Sequence, residues 1–222
     1  FLSWKRIAVI DPNSPRTSLD HASSDNETFE FAGRRRTVSR RVGLDAFFRI
    51  VINGDMARQL TEDPIASKAA LLVLGRPFEH GDLVILFAAH IATKEIQEWV
   101  WGTLWWHDQA GSGPFAADRP ASMQSPWQNY QLQVAFDAQR PLAADGGPHV
   151  AFNPWLEGRF PDSGNGGGTM SNCQACHRRA SFPSVDFLPV TRGRPELQHD
   201  PAYAPHRLRT NFIWAIALHA QP

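Results

Sequence analysis

The stretch "GDLVILFAAHIATKEIQEWVWGTLWWHD", residues 81–108, constrains the fold more tightly than any other part of the chain. Leu83 to His90 is aliphatic and β-branched, and Ile96 to His107 alternates with aromatic residues. The two runs therefore predict an antiparallel hairpin turned near Ala92 to Glu95. Counting by twos along the second run puts Trp99, Trp101, Thr103, Trp105 and His107 on one face, with Ile96, Val100, Leu104 and Trp106 on the other. Both faces are expected to be at least partly buried. A loop rich in proline, glycine and serine, "QAGSGPFAADRPASMQSP", follows, and then another alternating run, "YQLQVAFDA". Four of the chain's eight tryptophans lie in the hairpin. Large flat aromatics of this kind line a pocket for a flat ligand or fill a core.

The remainder of the chain fits around that sheet. Residues 11–28 are polar and turn-rich, so residues 1–28 are expected to be partly irregular. "FEFAG" leads into "RRRTVSRRVG", read as a solvated hairpin. Leu44, Phe47, Phe48 and Val51 follow helical spacing, and "SKAALLVLG" reads as a second short helix or a strand. With 222 residues and no repeat or linker, residues 1–222 are expected to form one domain of α+β class, an antiparallel sheet followed by a late helix. The 22 basic and 22 acidic residues cancel, so no bulk charge draws the chain to nucleic acid. The longest apolar run, Leu83 to Ala89, falls well short of the roughly 20 residues a membrane span needs. Opening at Phe1 with no methionine and no charged-then-apolar leader, the chain fits a mature or trimmed product better than a complete translation product, and no signal peptide is visible in it.

Both cysteines lie in "SNCQACHRRASF", residues 171–182. On a helix, positions i, i+3 and i+4 share one face, so Cys173, Cys176 and His177 would be presented together. Ser171 or Asn172 would cap its start. C-x-x-C-H is the signature of a c-type haem, in which two sulfurs bond the macrocycle and the imidazole binds iron. Three alternatives stay open. Structural zinc would need further ligands from distant histidines. A redox dithiol is expected after an early strand rather than a glycine-rich loop. A plain disulfide gives no reason for the adjacent histidine. "GNGGGT" lacks dinucleotide-binding and phosphate-loop spacing, and no G-x-S-x-G elbow is present. His80 with His107-Asp108 does not suit a metal-dependent hydrolase, whose sites are generally helical.

On "CQACH", the chain resembles a mono-haem c-type cytochrome. The resemblance implies one covalent haem on Cys173 and Cys176, iron held by His177, and maturation outside the cytoplasm, hence a periplasmic or otherwise exported protein. It implies electron transfer with a redox partner protein or, alternatively, a haem-dependent oxidoreductase or gas-binding protein with a tryptophan-lined distal pocket. The late motif departs from the small class I cytochromes, because Met56, Met123 and Met170 all precede it. The order of sheet first and haem helix late is similar to the β-rich group that includes cytochrome c-prime-beta and hydroxylamine-oxidising cytochromes with a lysine-crosslinked haem. Lys94 is the lysine nearest a pocket of that kind.

The second axial position decides the role of such a haem. His107 is the first candidate, because it ends the tryptophan face and Asp108 could orient it. His90, at the end of the partner strand, is the second. His206 and His219 lie in the tail, while His21, His80, His149 and His199 have loop-like contexts. Arg178 and Arg179 are placed to pair with propionates. Trp155, Phe160, Phe182, Phe187 and Trp214 are candidate packing aromatics.

Overall fold

The computed structural model describes residues 7–10, 28–31, 34–97, 99–112, 115–136, 151, 153–157, 173, 177, 180–183 and 207–219. They fall into two compact units, one within Lys5–Phe87 and Met123–Asn129, the other within Phe1–Trp4, Ala88–Ser122 and Tyr130–Pro222. Helices and antiparallel sheets are both present, so the chain is of α+β class. Among the described residues no helix is long and apolar enough to cross a membrane.

The first unit holds a sheet of order β1-β3-β2, formed by β1 (Ile7–Ile10), β2 (Thr28–Phe31) and β3 (Arg34–Val42). The expected arginine-bearing hairpin is β2 against β3, antiparallel with Thr28 opposite Thr37 and Phe31 opposite Arg34. β1 runs parallel to β3 on its other side.

The helical spacing over Leu44–Val51 is overturned. Leu44–Ala46 form a 3-10 turn, and Arg49–Val51 are strand β4, antiparallel to β5 (Leu83–Ile85). Ile50 and Val51 are β-branched and stiff at χ1, which suits a strand. Main-chain bonds extend the pairing at both ends, from Leu86 N to Phe48 O at 2.9 Å and from Ile52 N to Asp82 O at 2.8 Å. Phe47 is buried near Phe87, with ring centroids 5.4 Å apart, and Phe48 stacks on Trp127 at 4.8 Å. Tertiary partners thus overrode a periodicity that local sequence shares with a helix.

The first α-helices among the described residues are α1 (Gly54–Glu62) and α2 (Pro64–Leu74), which contains "SKAALLVL". Their boundaries have chemical causes. Asn53 Oδ1 accepts from Met56 N at 2.8 Å, and Asp63 Oδ1 accepts from Ile65 N and Ala66 N at 2.9 and 2.7 Å. Pro64 occupies the first turn of α2, and Gly75 ends that helix at φ 71°.

In the next turn Arg76 forms a fork on Asp82, with both N···O distances 2.8 Å, and Asp82 also accepts from Glu79 N at 2.8 Å. The guanidinium, followed by that amide, holds the Asp82 carboxyl down at about 2 from the ordinary 3.8. A depressed folded-state value contributes stability fully above pH about 4 and loses it as pH falls through about 2. An NMR titration should therefore find Asp82 flat from pH 7 to 4. Arg76→Ala should return its midpoint toward the ordinary value.

The second unit is built on the antiparallel sheet β6-β7-β8, with β6 Ala88–Thr93, β7 Val100–Trp106 and β8 Tyr130–Ala135. The predicted strand Leu83 to His90 is in fact divided, since β5 pairs with β4 and β6 with β7. The connection from β6 to β7 lies at residues 94–99 rather than at Ala92 to Glu95. A continuous apolar run carries no signal of where one partner ends and another begins. The facial reading of β7 holds: Trp101, Thr103 and Trp105 are buried, while Val100, Gly102 and Leu104 are half-buried. Trp106, on the second face, is buried as well, so both faces are covered there. Register places Trp101 between Ala92 and Ala135, Thr103 between His90 and Gln133, and Trp105 between Ala88 and Gln131. These rows share one side of the sheet. Phe115, from the following loop, meets the Trp105 ring edge-on at 5.8 Å.

Candidate functional site

The Trp101 side of this sheet receives the motif. Cys173 and His177 both have helical backbone, and Cys173, like Trp99, packs against a cluster of Trp101, Ala135, Ala151 and Phe212. The His177 ring lies over Trp101 with centroids 4.3 Å apart. Cys176, Arg178 and Arg179 lie outside the described residues, as do His21, His149, His199, His206, Met170, Phe160 and Phe187.

A short tie brings residues 35 positions apart together at His177. Strand β9 (Ser181–Phe182) pairs with β10 (Leu208–Arg209), and Thr210 N extends the ladder to Ala180 O at 3.1 Å. The chain leaving the motif is thereby held against the chain approaching Phe212. Trp214, which opens the helix Trp214–His219, packs with Ala180 behind this tie.

His177 Nδ1 sits 2.8 Å from Phe212 O. A carbonyl only accepts, so Nδ1 carries the hydrogen and Nε2 keeps the unshared pair. Burial pushes the His177 pKa down, against the smaller upward effect of the Phe212 carbonyl. The ring is therefore neutral, oriented and in the tautomer that ligates through Nε2. Metal-bound histidines generally use their other nitrogen in this way. A neutral imidazole held by a carbonyl, a cysteine four residues before it and an aromatic wall fit a haem carried by thioether bonds and one axial nitrogen. Among the described residues, no group of three or more His, Cys, Asp or Glu side chains gathers as a metal site.

Backbone strain concentrates at the same place. Among the described residues, the non-glycine positions with positive φ are Trp99 at 62°, Asn211 at 49° and Phe212 at 68°. Each conformation costs on the order of 1–3 kcal/mol and persists only where surrounding structure imposes it. Trp99 stacks on Trp101 at 5.8 Å, and Phe212 presents its carbonyl to His177. Asn211 Oδ1 accepts from Lys94 Nζ at 3.0 Å, and that ammonium also bonds Gln97 O at 3.0 Å and lies 5.3 Å from the Trp99 ring centre.

A polar wall stands beside the aromatic one. Asn153 is fully buried, and its Nδ2 donates to Thr103 Oγ1 at 2.9 Å and Leu104 O at 3.0 Å. Its Oδ1 accepts from Trp155 N at 3.0 Å and Leu156 N at 3.3 Å. The turn so fixed carries Glu157, whose Oε2 accepts from Asn153 N at 2.6 Å and whose Oε1 lies 3.8 Å from His90 Nε2. Burial raises the Glu157 pKa. Burial, first, and the proximity of the His177 imidazole both lower that of His90.

The two candidate second ligands are thus separated by the fold. His90 shares the face and the neighbourhood of His177. His107 lies six positions beyond Trp101, roughly 20 Å along an extended strand. His107 Nδ1 accepts from Gln109 N at 2.9 Å, so it carries no proton to donate to Asp108 Oδ1, 3.5 Å away. His80 and His219 are exposed, in the turn before β5 and in the last turn of the helix Trp214–His219. Trp155 is half-buried and bonds Trp106 O through Nε1 at 3.4 Å, and Phe182 is half-buried in β9. Phe212, Asn153, Glu157 and Asn211 were not singled out from the sequence. "NPW" carries a turn signal at Asn153, and asparagine tolerates the left-handed region at position 211. Nothing local marks Phe212. No family model, curated protein or solved structure matches the chain, so its role is argued from the chemistry of this site.

Proposed function

We propose that the chain is a c-type cytochrome carrying one covalent haem on Cys173 and Cys176, with His177 as iron ligand. Its role is electron transfer with a redox partner protein in the periplasm or another exported compartment. The observation that carries this reading is the 2.8 Å contact from His177 Nδ1 to the Phe212 carbonyl, which leaves Nε2 for the iron. Bound there, the haem supplies a one-electron iron couple. The chain's part is to keep His177 neutral and in one tautomer, through burial and the carbonyl. It also presents Cys173 on the helical turn before it, against an apolar cluster that excludes water. Rigid placement of that kind suits a carrier, whose iron surroundings must change little between oxidation states.

A second reading, a haem enzyme or gas-binding protein, would need its open pocket on the other face of the haem, because Trp99 and Trp101 pack on the side of His177. A pyridine haemochrome spectrum of protein matured with haem tests both. A c-type band that survives acid-acetone extraction is expected, and its absence would remove the haem reading in favour of a zinc-stabilised module or a redox dithiol. Ferrous protein inert to carbon monoxide supports the carrier, whereas ready binding supports the pocket.

A further inference from the structure

Lys94 lies in the connection between β6 and β7, 117 positions from Asn211, the residue its side chain holds. Its ammonium donates to Asn211 Oδ1 and to Gln97 O, each at 3.0 Å, and sits 5.3 Å from the centre of the Trp99 ring. Asn211 and Phe212 are the central residues of a four-residue turn. Ile213 N donates to Thr210 O at 3.0 Å to close it, and Thr210 Oγ1 donates to Ile213 O at 2.9 Å. Both central residues have positive φ, 49° and 68°, the pattern of a type I′ turn, which favours asparagine followed by glycine. Asparagine stands at the first position, but phenylalanine stands at the second, where its Cβ is crowded. Two outside contacts hold this turn. The Phe212 ring is 4% exposed and 6.1 Å from Trp101 on the core side, and Lys94 holds the neighbouring Asn211 on the solvent side. The shape of the turn aims the Phe212 carbonyl at His177 Nδ1, 2.8 Å away. Relaxation of either residue to negative φ would carry that carbonyl off the imidazole, and the ring would lose the acceptor that fixes its tautomer.

We infer that Lys94 is a positioning residue for His177: by holding Asn211 it keeps the strained turn shut and the Phe212 carbonyl on Nδ1. Its effect on iron rests on the haem reading above. A hydrogen bond at the far nitrogen makes an imidazole a more basic ligand, which favours ferric iron and lowers the reduction potential. Lys94 acts on that ligand through Asn211 and Phe212. Both Lys94 and Asn211 are exposed, so replacing them uncovers no core and the variants should fold.

The test uses the full chain matured with haem and carrying isotopically labelled histidine, as wild type, Lys94→Met, Asn211→Gly and the double variant. Asn211→Gly removes the acceptor while suiting the positive φ and changing no charge. Ferrous low-spin iron and its carbon monoxide adduct are both diamagnetic, so NMR under the gas reads the His177 Nδ1 proton and its exchange with solvent. In wild type this proton should be protected. Lys94→Met and Asn211→Gly should each speed its exchange several-fold to about tenfold, the change that loss of one ordinary hydrogen bond brings to a local opening. The double variant should be no faster than the faster single one, because both substitutions remove the same bond. Asn211→Gly should also raise the reduction potential, which a merely structural residue would not do. Exchange at the wild-type rate in both single variants would overturn the inference, as would effects that multiply in the double variant. Faster exchange at an unchanged potential would overturn the role toward iron. Absence of the c-type band would overturn the haem reading alone. His177 is then read in the haem-free chain, where wild type should hold the neutral tautomer with hydrogen on Nδ1 and Lys94→Met should mix in the other. A single tautomer in both would overturn the positioning role as well.

Discussion

Trp101→Ala is expected to lower folding stability by about 3–5 kcal/mol, the cost typical of a buried tryptophan truncated to alanine. Trp101 is only 6% exposed. Its cross-strand neighbours Ala92 and Ala135, and Ala151 in the same cluster, are too short to reach into the space it would leave. The ring also supports His177 at 4.3 Å and Phe212 at 6.1 Å. Its loss should therefore loosen the imidazole as well as the sheet. Equilibrium urea unfolding checks the magnitude. Since whole domains are stable by only about 5–15 kcal/mol, the midpoint shift should be large. Trp101→Phe should recover part of it. A loss below about 1 kcal/mol for the alanine variant would mean that the aromatic wall is not packed as described.

Asn153→Ala should cost about 2–4 kcal/mol, from four hydrogen bonds removed at a fully buried side chain at roughly 0.5–1.5 kcal/mol each, lessened where water can reach the orphaned groups. Thr103 is 1% exposed, so its hydroxyl is among those left stranded. Asn153→Asp does not rescue the site, because the two Nδ2 donors are lost and a charge is buried in their place. Leu156→Ala, at an exposed position of the same turn, should change stability by less than about 0.5 kcal/mol. Thermal or urea unfolding of the three variants orders them.

The sheets β6-β7-β8 and β4-β5 show what can be read locally and what cannot. Alternation in "WVWGTLWW" and "YQLQVA" is a property of the backbone pleat. The facial assignment of Trp101, Thr103 and Trp105 was therefore legible before any partner was known. The same logic failed over Leu44–Val51, where three or four apolar residues fit both a helix and a strand until β5 supplied a partner. It failed again over Leu83–His90, whose uniform apolar character hides the change of partner between β5 and β6. Capping residues Asn53, Asp63 and Gly75 were present as signals at the helix ends and mark where α1 and α2 lie.

By itself the sequence determined the α+β class, the inward tryptophan face of β7, and the grouping of Cys173, Cys176 and His177 within five residues. All three follow from spacings of one to five positions, which the geometry of a single strand or helical turn converts directly into direction. Only the tertiary structure decided that Phe212 orients His177 and that Asn153 and Glu157 stand beside His90. It also decided that His90, not His107, faces the motif. Those relations join residues 35, 67 and 87 positions apart, through strand register and a two-residue ladder. Such contacts depend on which elements pair, and that is settled by the free energy of the whole unit rather than by any local pattern.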